Sequence, residues 1–470
     1  MLFSSLSFLL YGVLFVILWP AVRKHRSLRW AYICVSSLAL YGWAEPRLLL
    51  VFFFSGGLAY LAGVGLKKRP RLGKLFLAAC VLGNVGLLVA VRYLPFITST
   101  IGSILDFVGL ETHALDLPPT AFTSSLLGVS FYTLQSIGYA IDVYRKRTEA
   151  VLDPLHLLAY LSFFPKLMAG PIVRSREFLP KLKEMNDPDE ETRWAGLKLM
   201  VYGYFRKMVI ADTLAPLVDR AFSGVRHVTP GYWWVVVAAF AVQLYFDFSG
   251  YSSIARGLST WMGYELPVNF NYPYFARSIG DFWNRWHISL TLWLREYIFF
   301  PLNRARRGRL NAHLNMWLTM LVSGLWHGAG WTFVVWGGLH AVFISIERAT
   351  QWPRRLEKIR IGKWIAMILV MAQVWIAWVF FRAESLARAV QVLGYMFDFS
   401  AGWAPLAGLN RAVFILIGML FELYVYFKLD RFDKLSRPAR HALGVASLAL
   451  LILCCVYLRG PGTQFIYNQF

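Results

Sequence analysis

Charge is scarce in this sequence, and negative charge scarcer still. Asp and Glu supply 26 of its 470 residues against 48 Lys and Arg, and the four types together make up 16%, where a soluble globular chain carries about 25%. That shortage excludes an ordinary water-soluble domain of this length. Cysteine is equally thin. Cys34, Cys80, Cys454 and Cys455 all lie in apolar runs and offer neither a disulfide framework nor a metal-binding spacing. They read as packing residues. Internal repeats and low-complexity linkers are lacking, and Asn186–Arg193 is the one markedly charged polar loop, so a single integral domain over residues 1–470 is the simplest organisation.

Familiar catalytic signatures are missing as well. The chain has no GxSxG elbow, no Walker A loop, no HExxH helix and no Rossmann glycine fingerprint. A serine hydrolase, an ATPase, a zincin and a nicotinamide enzyme are therefore unsupported. Within any one helix no His, Cys and carboxylate group has metal-ligand spacing, although ligands drawn from separate helices stay open.

What remains is apolar and aromatic: 57% hydrophobic residues, 17% aromatics and 19 Trp. A bilayer span takes about 20 mostly apolar residues. Candidate spans are Leu2–Trp19, Trp30–Trp43, Leu48–Leu66, Leu75–Phe96, Phe122–Val143, Trp233–Gly250, Leu314–Trp326, Thr332–Ile346, Trp364–Phe381, Ala412–Phe427 and Ala442–Tyr457. Two weaker stretches, Leu155–Ile172 and Gly196–Val218, contain Pro165, Pro171 and Pro216 and read as tilted, re-entrant or interfacial helices. The N-terminus lacks a basic region before its apolar run and a small-residue cleavage site, so it reads as a first span. The class is an all-α polytopic membrane protein, with membrane lipid as its constant partner.

The net charge of +22 does not imply nucleic acid. Basic residues cluster in short loops between spans, as the positive-inside rule expects, while Thr98–Thr120 carries acids and no Lys or Arg. Placing every basic loop in the cytoplasm puts both termini outside. It also makes Ala312–Ile346 a hairpin that enters and leaves from the cytoplasmic side, with its turn near His327 and Gly328.

Ionisable groups are costly at membrane depth and are functional candidates by default. Between Gln243 and His340 they are concentrated. His327 sits in SGLWHGAGWTF (Ser323–Phe333), beside Trp326 and glycines that permit close approach of a ligand to the backbone. A neutral imidazole can take and return a proton near neutral pH; a hydrogen-bonded core histidine is the structural alternative. His287 lies in DFWNRWHISLTLWLREY (Asp281–Tyr297) next to Trp286. On one helix Asn284 and His287, and Asp281 and Arg285, would share a face; an interfacial helix with snorkelling Arg and anchoring Trp is the alternative. Gln243, Asp247 and Tyr251 in QLYFDFSGYS recur every fourth residue, and Asp247 is expected to pair with Arg256, Arg285 or a histidine. A helix-locking ion pair is as good a reading of Asp247 as direct catalysis. His340 and His156 lack polar neighbours in sequence and read as packing residues.

These blocks, together with NFNYPYF (Asn269–Phe275), WLREYIFFPL (Trp293–Leu302), LWHGAGWTFVVWGGLH (Leu325–His340), FYTLQSIGYAIDVYR (Phe131–Arg145), AGPIVR (Ala169–Arg174) and the aromatic tail Phe465–Phe470, resemble the membrane-bound O-acyltransferase family, in particular its bacterial alginate O-acetyltransferase branch. The resemblance spans nearly the whole chain. It departs at Asn303–Arg309, a short basic loop where relatives often carry a Gly-Gly-Asn type of turn.

The resemblance implies a ring of about 11–12 transmembrane helices around a thin core, with a funnel from each side. It implies that His327 is catalytic and His287 assists, with Asn284, Arg285, Trp286, Trp326, Asp247, Gln243, Tyr251 and Asp281 binding or supporting. No bound cofactor or metal is expected. A cytosolic acyl donor, most simply acetyl-CoA, would meet an exopolysaccharide hydroxyl or an extracytoplasmic relay protein, with the chain in the bacterial inner membrane. Alternatives are D-alanyl transfer from a carrier protein to teichoic acid, acetylation of peptidoglycan or cellulose, a polysaccharide transporter or flippase, and a scaffold subunit.

Overall fold

A computed structural model describes residues 6–110, 128–184, 187–224, 229–305, 308–402, 410–429 and 436–466. Among them every regular element is helical. Five helical runs are long and apolar enough to cross a membrane: Arg47–Lys68, Pro70–Phe107, Pro230–Trp261, Gly362–Arg382 and Pro438–Tyr457. The other expected spans also form helices, but these are shorter or more polar. The candidate Phe122–Val143 begins outside the described residues and continues as the helix Val129–Tyr144.

Contacts group the chain into two compact units. The first comprises Met1–Arg193 with Leu258–Pro267. It contains α1 (Leu6–Val22), α2 (Arg26–Ala44), α3 (Arg47–Lys68), α4 (Gly73–Leu88), α5 (Leu94–Phe107), α6 (Val129–Tyr144), α7 (Pro154–Ser162), α8 (Phe164–Leu167) and α9 (Ser175–Lys183). Polar side chains clamp its helices where apolar packing alone has no direction. Ser55 of α3 donates to the side-chain oxygen of Asn84 of α4 at 2.5 Å, and its hydroxyl lies 3.0 Å from that of Ser136 of α6, within hydrogen-bond distance. Arg29 and Trp30 of α2 donate to the carbonyls of Leu182 and Lys183, which the end of α9 leaves without intrahelical partners. Lys166 is fully buried, with its ammonium on Gln135 and 4.5 Å from the Tyr160 ring centroid. The stretch Leu155–Ile172 breaks at Phe163, as its prolines suggest. His156 is a packing residue: it stacks on Trp30 at 4.3 Å and bonds the Leu179 carbonyl.

The second unit comprises Trp194–Gly257 and Val268–Phe470. The helix α10 (Glu190–Tyr204) runs through a wide π-helical turn, Phe205–Ala211, into α11 (Asp212–Phe222). The stretch Gly196–Val218 is thus continuous, with Pro216 inside α11, because a proline held in a packed interior bends a helix without ending it. The longest helix is α12 (Pro230–Trp261). At about 1.5 Å per residue it exceeds the thickness of the hydrocarbon core.

After two half-helices, α13 (Ile279–Arg285) and α14 (Ile288–Leu294), come α15 (Phe300–Ala305) and the hairpin of α16 (Arg309–His327) and α17 (Trp331–Thr350). The rest is α18 (Trp352–Leu356), α19 (Gly362–Arg382), α20 (Leu386–Phe397), α21 (Val413–Tyr426) and α22 (Arg437–Tyr457). The hairpin closes on facing glycines. A Cβ on Gly324 would sit 2.3 Å from the Phe333 carbonyl oxygen, and one on Gly337 would sit 2.5 Å from that of Met320. Small residues let two helix backbones touch, which is how helices gain dispersion energy in lipid. Trp233, Trp286, Trp336 and Trp378 are fully buried and fill the interior of this unit.

Candidate active site

The expected single helix over Asp281–Tyr297 does not form. It breaks at Trp286 and His287, and His287 adopts a left-handed backbone with φ of 41°. Such a conformation is strained for a residue with a Cβ and persists only where its surroundings impose it. The extended strip Asn269–Asn271 imposes it from both sides. Before the break, the Asn271 amide donates to the Arg285 carbonyl at 3.0 Å; after it, the Ile288 amide donates to the Asn269 carbonyl at 2.9 Å. The Asn269 side-chain oxygen then accepts from the Ser289 hydroxyl at 2.7 Å, and its amide reaches the Ser252 hydroxyl of α12 at 3.2 Å. The backbone of His287 is therefore bolted to α12.

His327 ends α16 at the tip of the hairpin, in agreement with the sequence pattern. Both imidazoles are buried, and their centroids lie 6.3 Å apart. The rings are too far apart to hydrogen-bond each other and near enough for one small group to reach both. Trp326 sits 5.7 Å from His287 and 5.0 Å from His327. Phe248 of α12 meets His287 edge-on at 4.6 Å, while Trp336 and Phe381 wall His327 at 4.9 Å and 5.4 Å. Two protonatable rings thus stand in an aromatic enclosure. Among the described residues no group of three His, Cys, Asp or Glu side chains is placed to hold a metal ion.

Several expectations need correction. With the helix broken, Asn284 and His287 do not share a face; Asn284 is exposed, and Arg295 reaches its side-chain oxygen at 3.4 Å. The space over Gly328 is filled by the Phe333 ring, 2.1 Å from where a Cβ would stand, so what approaches that glycine is protein. Among the described residues Asp247 pairs with none of Arg256, Arg285 or a histidine. Its partner is Lys207, at 2.6 Å, which also binds Asp212 at 2.8 Å. The wide turn between α10 and α11 carries Lys207 and its neighbour Arg206.

For other candidates the helical spacing is realised in the structure. Asp281 and Arg285 pair at 2.7 Å, one turn apart on α13. Trp286 is wholly buried between Phe270 and Trp378. Gln243, Asp247 and Tyr251 all lie buried on α12, and the Tyr251 ring rests 5.0 Å from Phe465.

Lys207, Asp212, Asn269 and Phe248 are not singled out by sequence reasoning. The first two are detectable as charges within an otherwise apolar stretch. Asn269 and Phe248 carry no signal beyond membership of their aromatic blocks.

An all-helical membrane protein with two buried histidines facing each other across an aromatic enclosure is the class that fold and site define. Residues 145–389 match the model of the MBOAT, membrane-bound O-acyltransferase, family. The chain is 34% identical to a probable alginate O-acetylase of Pseudomonas putida, over 94% of this chain and 90% of that protein. It is 34% identical to a peptidoglycan O-acetyltransferase of Helicobacter pylori, over 82% and 77%. To a teichoic acid D-alanyltransferase of Bacillus subtilis it is 26% identical, over 68% and 78%. The chain belongs to the membrane-bound O-acyltransferase family and is an acyltransferase.

Proposed function

We propose that the protein takes an acetyl group from a cytosolic thioester, most simply acetyl-CoA, and passes it through the bacterial inner membrane to a hydroxyl on the other side. The acceptor is a sugar of an exopolysaccharide, or a serine or tyrosine of an extracytoplasmic partner that relays the group. The observation that carries this reading is the 6.3 Å separation of His287 and His327 inside an apolar enclosure.

In the proposed step His327 accepts the proton of the acceptor hydroxyl as its oxygen attacks the thioester carbon. The carbon–sulfur bond breaks, the new ester forms, and the proton returns to the departing thiolate. His327 lies at the negative end of the α16 dipole, which favours the imidazolium it becomes. His287, fixed by the Asn269 bonds, donates to the oxygen on which charge develops. Exclusion of water strengthens both interactions.

A second reading exchanges the acetyl group for D-alanine from a carrier protein. The similarity to a teichoic acid D-alanyltransferase favours it; the lower identity, 26% against 34%, places it second.

The test uses purified protein in nanodiscs with radiolabelled acetyl-CoA and an extracytoplasmic partner from the gene neighbourhood. Wild type should consume the thioester. His327→Ala should lose about 100-fold or more of that rate while staying monodisperse with an unchanged melting temperature. Full activity in His327→Ala would overturn its role. Turnover of a D-alanyl carrier with no turnover of acetyl-CoA would establish the second reading.

A further inference from the structure

The second unit contains a cavity of about 1210 Å³ whose lining includes neither His287 nor His327. It is therefore not the histidine enclosure. Its walls are helical stripes at the spacing of one turn. Met367, Met371 and Trp375 come from α19, and Ile415, Met419 and Leu423 from α21. Those on α19 are only half-buried, and the carboxylate in this stretch of the wall, Glu422 of α21, is paired with Arg206 at 2.7 Å, which leaves the rest of these stripes apolar. Methionine suits a surface that must adapt to a flexible chain.

One end is cationic. Arg348 and Arg354 line it where α17 and α18 lead into α19, and Glu347 ties Arg277 to the same end by accepting from the Ile279 amide at 2.6 Å. Of the acids there, Asp281 is held by Arg285, Glu347 caps the backbone of α13, and Glu357 is exposed, as are Arg277, Arg348 and Arg354. Among the described residues no ion pair engages Arg277, Arg348 or Arg354. From Trp364 to Trp375 the lining of α19 advances about 16 Å, roughly the depth of one leaflet of a hydrocarbon core about 30 Å thick. Arg348 and Arg354 belong to the basic loop Arg348–Lys363, which the positive-inside rule assigns to the cytoplasmic face, and Arg277 joins them in the lining of the same groove.

We propose that this groove holds an anionic phospholipid of the cytoplasmic leaflet, its phosphate on Arg277, Arg348 and Arg354 and an acyl chain along α19 and α21. Charge complementarity selects the headgroup, and the one-leaflet length selects the tail. The site is separate from the acyl-transfer reading and needs no turnover to be observed.

The full-length protein is released from nanodiscs of mixed phosphatidylglycerol and phosphatidylcholine into native mass spectrometry. Wild type should retain phosphatidylglycerol in preference to phosphatidylcholine. Arg277→Gln/Arg348→Gln/Arg354→Gln should lose that preference by about tenfold or more, since each basic group near a membrane surface contributes to anionic-lipid binding. Met371→Trp, which fills the channel and leaves the charge unchanged, should lose retention of both lipids. The two variants read the site independently, so either one, once monodisperse, decides the matter. Phosphatidylglycerol held equally by wild type and variant would overturn the proposal. So would displacement of the lipid by acetyl-CoA, which would make the groove a donor site.

Discussion

The amide of Ile466 donates to the Asp247 carboxylate at 2.7 Å, across 219 residues of sequence. That bond fastens the C-terminal tail to α12 beside Phe248, a wall of the site. Around it, Lys207 also donates to the Thr463 carbonyl at 3.1 Å, and the Thr463 hydroxyl donates to Asp212 at 2.7 Å. Phe465 rests 5.6 Å from Phe248, the ring that meets His287. The tail is thus one aromatic ring removed from a histidine of the site. A lysine, two carboxylates and a backbone amide satisfy one another where water is scarce.

This arrangement makes Lys207 the keystone of a buried charge cluster. Replacing one member strands the others, which costs about 3–5 kcal/mol, whereas replacing all of them with apolar residues is often neutral. Lys207→Met should therefore lower the melting temperature in detergent sharply. Adding Asp212→Leu and Asp247→Leu should recover most of the loss. A single variant as stable as wild type would show that the cluster does not bear on stability.

Asn269 is a positioning residue for His287. Asn269→Ala keeps the backbone pairing and removes the bonds to Ser289 and Ser252. A lost buried hydrogen bond costs about 1–3 kcal/mol, so transfer should fall by tenfold or more. Partial rescue by Asn269→Asp, which preserves the acceptor for Ser289, separates positioning from general loosening. Equal activity in wild type and Asn269→Ala would sink the assignment.

The hairpin supplies its own control. Gly337→Ala places a methyl against the Met320 carbonyl, while the nearest atom to a Cβ on Gly338, in Leu321, is 4.0 Å away. Gly337→Ala should destabilise by about 1–3 kcal/mol through overpacking and shift His327 at the hairpin tip. Gly338→Ala should be close to neutral. Thermal unfolding and acyl-transfer rate, measured on both variants, check the contrast; equal behaviour would refute it.

His340 lies 4.9 Å from both Trp283 and Trp336, fully buried, and neither ring nitrogen has a hydrogen-bond partner among the described residues. It is a packing residue, as its sequence setting suggests. His340→Leu should retain transfer and stability, since an unsatisfied buried polar group is removed. Loss of transfer with an unchanged melting temperature would instead place His340 in the chemistry.

Much of the fold is legible in the residues alone. The scarcity of charge and the apolar runs define a helical membrane protein, because spanning a bilayer leaves composition little freedom. Both histidines stand out as ionisable groups in costly places, and Asp281 and Arg285 pair at the spacing that a helix dictates. Less legible is how the blocks meet. Asp247 is visible as a charge needing a partner, but Lys207 lies 40 residues upstream in a stretch whose sequence reads as a tilted, re-entrant or interfacial helix. The break at His287 is hidden because DFWNRWHISL reads as continuous helix, and only the strip around Asn269 imposes the left-handed turn.

The sequence by itself determined the class, most of the helices and the prominence of the two histidines, since these follow from local hydropathy and from the rarity of ionisable groups in lipid. The tertiary structure alone decided that His287 and His327 face each other, that Lys207 answers Asp247, and that the tail closes beside them. Each of those is a meeting of segments distant along the chain, and helical periodicity carries no record of which faces will touch.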